Sequence, residues 1–276
     1  MPDPASPPPP SSFDAYTPDQ MALRVEKVGM AKAEMATLPL FALAVLAGAF
    51  IALGAMFFTV TVTGGELGFG PTRLLGGVAF SLGLILVVVG GAELFTGNVL
   101  MVMGWADGKV STRALLRNWG VVYVGNLAGG VGMAALAFAG GLFALDGGEV
   151  GKTALRIAEA KAALPFGTAF AKGILCNILV CLAVWLCFAA HSVADKILAI
   201  VFPIGAFVAL GFEHSIANMY FIPAGMLLSP EGALLAGAGG FKGFVANLVP
   251  VTLGNIAGGG GFVAAAYYVI YLRGRR

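Results

Sequence analysis

Two short stretches carry ionisable groups inside long apolar runs: G91AELFTGN98 with Glu93, and G211FEHSIAN218 with Glu213 and His214. An ionisable group at such a place is expensive in hydrocarbon and marks a functional site by default. Imidazole titrates near neutrality and donates to an anion when protonated, so His214 suits a midway point where a small anion shares or exchanges a proton. The alternative is a neutral ring whose hydrogen bonds only tie down its loop. Each glutamate precedes an interruption. As pore carboxylates Glu93 and Glu213 would repel anions. As structural groups they would accept backbone N–H groups freed where a helix is broken, and this reading is favoured. Asn98 and Asn218, a few residues further on, can donate to and accept from the same loose backbone.

Lys172 is the one cation inside the apolar segment from about Ala162 to Ala190. At the mouth of an anion path it would raise the local anion concentration. Snorkelling to the interface is the alternative. Other chemistry finds little support. The histidines are His191 and His214, too few for a metal site. Cys176, Cys181 and Cys187 share one apolar segment without a CxxC spacing and read as buried thiols. Neither HExxH nor GxSG occurs, so a membrane-embedded enzyme is disfavoured, and no cofactor or metal is expected.

These groups need helices to carry them. The chain has 276 residues, 59% hydrophobic and 11% charged, with a mean hydropathy of +0.91. Soluble domains are roughly 25% charged, so a water-soluble enzyme is excluded. The balance of 16 Lys+Arg against 14 Asp+Glu leaves no basic field for nucleic acid. A polytopic, all-α membrane protein remains, and its 41 glycines point to close-packed or bent helices. Residues 1–12 are Pro-rich and read as a disordered tail. Residues 13–34 place Met21, Val25 and Val28 at helical spacing, as in an amphipathic helix lying on the membrane surface; a solvated helix is the alternative.

Charges punctuate the remainder into six apolar segments, each long enough to span ~30 Å of hydrocarbon. Segments two and five, at about 33 residues, would reach roughly 50 Å as straight helices, and each has its acid in the middle. They read as helix, break, helix. The breaks align with each other on Gly, Glu and Asn at a separation of 120, and G125NLAGG130 aligns with G254NIAGG259 at a separation of 129. Residues 35–145 therefore form a first three-helix repeat, 146–163 a linker loop, and 164–276 a second repeat. Three crossings are an odd number, so the second repeat is inverted, as in transport proteins with a site near the midplane. Ten Lys and Arg fall on the side of the termini and five on the other, which places both termini in the cytoplasm.

The stretches GGVAFSLGLILVVVGGAELFTGNVL (76–100), KGILCNILVCLAVW (172–185), GFEHSIANMYFIPAG (211–225) and NLVPVTLGNIAGG (247–259) resemble the formate/nitrite transporter family. The resemblance covers about residues 20–273. It implies a homopentamer of aquaporin-like protomers in the bacterial inner membrane, each with its own pore for a small monovalent weak-acid anion. It implies that Thr96 hydrogen-bonds the His214 ring and that Lys172 sits in a vestibule. It also implies that Phe80, Leu84, Leu94, Phe95, Val180 and Phe207 form narrow apolar gates. Asn177 and Asn255 match polar positions that line the vestibules, with helix–helix hydrogen bonding an equal alternative. GFEHSIANM is most like the formate branch, so formate, with protons, is the expected cargo. The first break reads FTGN, and Lys172 stands where some formate channels carry an apolar residue. Nitrite, hydrosulfide and lactate therefore stay open as alternatives. A water or glycerol pore would need NPA boxes that both breaks lack.

Overall fold

A computed structural model describes residues 14–229 and 240–274. The Pro-rich tail, the end of the fifth apolar segment at Pro230, and Arg275 and Arg276 lie outside these residues. The described residues are helical: α1 Pro18–Glu34, α2 Thr37–Val62, α3 Phe69–Gly90, α4 Phe95–Ala106, α5 Thr112–Ala139, α6 Glu149–Ala162, α7 Phe166–Ala189, α8 Val193–Ala209, α9 Ser215–Leu228 and α10 Phe241–Leu272. Five of them, α2, α3, α5, α7 and α10, are long and apolar enough to cross a membrane, and α4 and α9 are shorter apolar helices. Phe57, Leu136, Phe202 and Phe262 stand exposed on the outside of the bundle, a surface suited to lipid or to another copy.

Both expected interruptions are present. Gly91 ends α3 at φ +78° and Gly211 follows α8 at φ +72°, a left-handed conformation that terminates a helix at no steric cost only for glycine. A few residues of non-helical chain follow, and α4 and α9 then restart the helix. Pairs of long helices approach closely at bare backbone. A Cβ on Gly129 of α5 would lie 2.1 Å from the Val45 carbonyl oxygen of α2. A Cβ on Gly258 of α10 would lie 2.2 Å from that of Ile174 in α7. This contact falls within π-helical turns of α10 over Ala257–Ala265, and a second such stretch follows at Tyr268–Leu272.

Two expectations are corrected. The span 146–163 is not a loop, because Glu149–Ala162 forms α6. Its apolar positions Val150, Ala154 and Ala158 repeat at helical spacing and are buried. The expected amphipathic helix is present as α1, but of its apolar positions Met21 and Val25 are buried against the protein while Val28 stays exposed. Met21, Ala22 and Val25 pack with Leu100, Met103, Trp185 and Leu272. Lys109 Nζ ties it to the end of α4, 2.7 Å from Glu26 and 3.0 Å from Asp107. Hydrogen bonds to Glu26 and then to Asp107 raise the Lys109 ammonium above its ordinary range.

The helices thus run in two matching series, α1–α5 and α6–α10. In each, an amphipathic helix precedes a long helix, a helix ending at a break, a short helix and a Gly-rich helix.

Candidate transport site

The two breaks meet. Thr96, in the first turn of α4, places Oγ1 2.9 Å from His214 Nε2. His214 is the N-cap of α9, and its Nδ1 accepts the Ala217 N–H at 3.1 Å. An acceptor nitrogen carries no proton, so the neutral ring holds its hydrogen on Nε2 and donates it to Thr96 Oγ1. Both residues are buried.

Each break is held by the same set of bonds, residue for residue. Asn126 accepts from Phe95 N at 2.9 Å and donates to the Ala44 and Glu93 carbonyls at 2.7 and 2.9 Å. Asn255, 129 residues on, accepts from Ser215 N at 3.0 Å and donates to the Gly173 and Glu213 carbonyls at 2.8 and 3.0 Å. The backbone groups that interruption leaves without helical partners are therefore satisfied by asparagine.

The glutamates work differently from expectation. Their carboxylates are bound by side chains rather than by freed N–H groups. Glu93 receives Lys32 Nζ at 2.9 Å and Asn98 Nδ2 at 2.7 Å. Glu213 receives Lys161 Nζ at 3.0 Å and Asn218 Nδ2 at 2.7 Å. Asn98 and Asn218 go on to Asn118 and Asn247, at 2.9 and 2.7 Å. Asn118 and Asn247 in turn donate to the Lys32 and Lys161 carbonyls. Lys32 on α1 and Lys161 on α6 thus belong to the candidate site, which their sequence positions did not suggest. One signal was available: they too stand 129 residues apart, on helices of matching character.

Two cavities approach this centre. One, of about 300 Å3, is lined by Arg24, Lys32 and Lys196 together with Glu93, Leu84 and Leu94. The other, of about 270 Å3, is lined by Arg73, Lys161 and Lys172 together with Glu213, Phe80, Phe207 and His214. Each wall therefore holds three cations and one carboxylate, and that carboxylate is already paired. The excess is positive on both sides, as a route for anions requires. Arg73 is drawn inward by the Ala209 carbonyl, at 3.1 Å, and by that of Val208. Aromatic rings face the second cavity beside the histidine. Phe80 meets Phe207 edge to face at 5.6 Å between centroids, and Phe207 lies nearly parallel to the His214 ring at 5.9 Å.

Of the positions expected at gates, Leu84 and Leu94 line the first cavity and Phe80 and Phe207 the second. Phe95 and Val180 line neither. Phe95 packs edge-on against Trp119 and Tyr123, and Val180 is in the core. Asn177 and Asn255 also lie outside both cavities, among the bonds that hold the breaks. Among the described residues, no group of His, Cys, Asp and Glu could hold a metal ion.

Two cation-lined cavities and one buried histidine within a bundle of membrane-length helices fit a membrane transport protein. A profile of the formate/nitrite transporter family matches residues 19–269. The formate channel FocA of Escherichia coli K12 is 42% identical over 274 residues, covering 95% of this chain and 96% of that protein. A probable formate transporter of Methanothermobacter thermautotrophicus is 44% identical over 84% of this chain and 88% of its own length. A solved structure described as a pentameric formate channel with formate bound superposes with a TM-score of 0.79 at 45% identity, covering 86% of this chain and 98% of that one. The chain belongs to the formate/nitrite transporter family.

Proposed function

We propose that this protein is a channel for small monovalent weak-acid anions, with formate as its substrate and protons moving with it. The observation that supports this reading is the buried His214–Thr96 pair, with His214 on the wall of one of two cation-lined cavities. The FocA relative and the pentameric formate channel favour formate over nitrite, hydrosulfide or lactate. A bare anion is rejected by an apolar constriction, whereas one sharing a proton passes it more easily. In this reading Lys172, Lys161 and Arg73 gather the anion on one side, and Phe80 and Phe207 strip it of water. His214 then donates a hydrogen bond to it, and Leu84 and Leu94 form the exit seal. Nδ1 is engaged with the Ala217 N–H, so Nε2–H and the Thr96 hydroxyl it donates to are the hydrogen-bond donors offered to the anion, and the proton that moves with the anion comes from solution while the ring keeps its own.

The paired bonds at offsets of 120 and 129 support two inverted repeats, in which α8 and α9 together supply the sixth crossing. With the Lys and Arg distribution, both termini then lie in the cytoplasm of a bacterial inner membrane. The solved relative supports a homopentamer with one pore in each protomer.

Labelled formate uptake into proteoliposomes under an inward proton gradient tests the proposal. Wild type should take up formate faster as the gradient steepens. His214→Phe should assemble normally and carry none. Uptake blocked far better by nitrite than by unlabelled formate would change the substrate, and uptake by His214→Phe would remove the histidine from the mechanism.

A further inference from the structure

The two halves match closely enough that their differences are informative. Leu94 of the first break is answered by His214, Thr96 by Ile216, Gly48 by Asn177 and Ala52 by Cys181. The polar member of each of these pairs lies in one connected chain. His214 meets the Thr96 hydroxyl. The Thr96 carbonyl accepts from Asn177 Nδ2 at 3.2 Å and from Cys181 Sγ at 3.4 Å. Asn177 Nδ2 also donates to the Asn255 carbonyl at 2.7 Å. Asn255 is the residue that binds the second break.

We propose that Asn177 is a positioning residue for the His214–Thr96 pair, acting through the Thr96 backbone rather than on the anion. This deepens the proposed function and rests on it. Both of its partners are carbonyl oxygens, which only accept, so the amide must present its NH2 to them and its orientation is set by chemistry. Its two protons are then both used, one on the loop that carries Thr96 and one on the residue that anchors the loop carrying His214. The single NH2 sets the spacing between the two breaks. Asn177 is fully buried, lines neither cavity, and has both amide protons on backbone carbonyls, so it has no donor left to offer an anion.

The space for this bridge is made on one side only. A Cβ on Gly259 would lie 2.5 Å from Asn177 Nδ2 and 2.7 Å from Cys181 Sγ, so α10 leaves that room bare. In the first half a Cβ on Gly48 would lie 2.1 Å from the Asn126 carbonyl oxygen, so no spacer fits there. The bridge thus occurs in the half that carries the histidine. Loss of the bridge leaves the Thr96 carbonyl to the weaker Cys181 thiol donor and unties it from Asn255, and a shift of about 1 Å in a reacting group can cost on the order of a hundredfold in rate.

The test is a double-mutant cycle on formate flux, with Asn177→Leu, Thr96→Val and the pair, each normalised to assembled oligomer. Asn177→Leu is expected to lower flux about tenfold and to displace the pH profile of uptake as Thr96→Val does. The double variant should be no slower than Thr96→Val, because residues acting through one another are not additive. Gly259→Ala, which pushes the amide aside, should show the same pattern, and Asn177→Ala serves in its place if Asn177→Leu does not assemble. Multiplying defects, or a variant with less oligomer but unchanged flux and pH profile per oligomer, would overturn the proposal. A second readout does not need transport. In the full-length His191→Asn protein, 15N-histidine solid-state spectra report His214 alone, and Asn177→Leu should alter its Nε2–H signal. An unaltered signal would overturn the positioning role. If wild type carried no formate, the functional reading would fail, and the spectra would still decide this one.

Discussion

The buried Glu213 carboxylate has Lys161 Nζ 3.0 Å away and accepts from Asn218 Nδ2 as well. Glu93 has the same arrangement with Lys32 and Asn98. Breaking a buried pair from one side leaves an uncompensated charge and costs about 3–5 kcal/mol, whereas removing both charges costs far less. Lys161→Met should therefore lower the yield of folded oligomer and its melting temperature. Lys161→Met combined with Glu213→Gln should recover most of both, in size-exclusion and thermal-stability measurements. A double variant as unstable as Lys161→Met alone would show that the lysine acts through something other than Glu213. The cysteines need no comparable account, since all three are buried free thiols.

At the scale of elements, the breaks were legible because Gly, Glu and Asn recur in order within runs too long for one straight crossing. Their supports were less legible. Lys32 and Lys161 fall outside the apolar segments, where a lysine looks like ordinary interfacial punctuation, and their partners are 61 and 52 residues away. The α6 helix was read as a loop because its charges stood out more than the spacing of Val150, Ala154 and Ala158. Asn177 and Asn255 were singled out by resemblance, but only the fold shows that their bonds run to backbone rather than to a cavity.

Glycine was legible as a sign of close packing, though not which glycines do it. Gly129 and Gly258 let carbonyl oxygens of α2 and α7 approach to within 2.1 and 2.2 Å of where a Cβ would stand. The obstacle is backbone, which has no rotamer to change. Gly129→Ala and Gly258→Ala should force the helices apart and lower the melting temperature of the detergent-solubilised protein by several degrees, an overpacking cost of about 1–3 kcal/mol. Gly120→Ala, on the same helix as Gly129 but with no neighbour within 4 Å, should leave it unchanged or slightly higher. Equal losses at all three positions would mean that helix packing is not what requires these glycines.

Across the whole molecule the balance of charge is nearly even, with 16 Lys+Arg against 14 Asp+Glu, so any attraction for anions must come from where the charges sit. Each cavity places three cations against one carboxylate, and the ion pairs within it use one of those cations. Among the described residues, Lys172 and Lys196 take part in no ion pair, so their fields are free to act on the solution. Cavities with low-dielectric walls focus such fields, and salt screens them, with a Debye length of about 30 Å at 0.01 M and about 3 Å at 1 M. Lys172→Gln together with Lys196→Gln should therefore lower formate flux several-fold in dilute buffer at subsaturating formate. The deficit should close as an impermeant salt is added, because the screened wild-type cavities then gather no more anion than the variant ones. A deficit that persists unchanged at high salt would mean that the lysines contact the anion during passage instead of concentrating it at the mouth. No deficit at any salt would assign Lys172 to snorkelling and leave the attraction to Arg24, Lys32, Arg73 and Lys161.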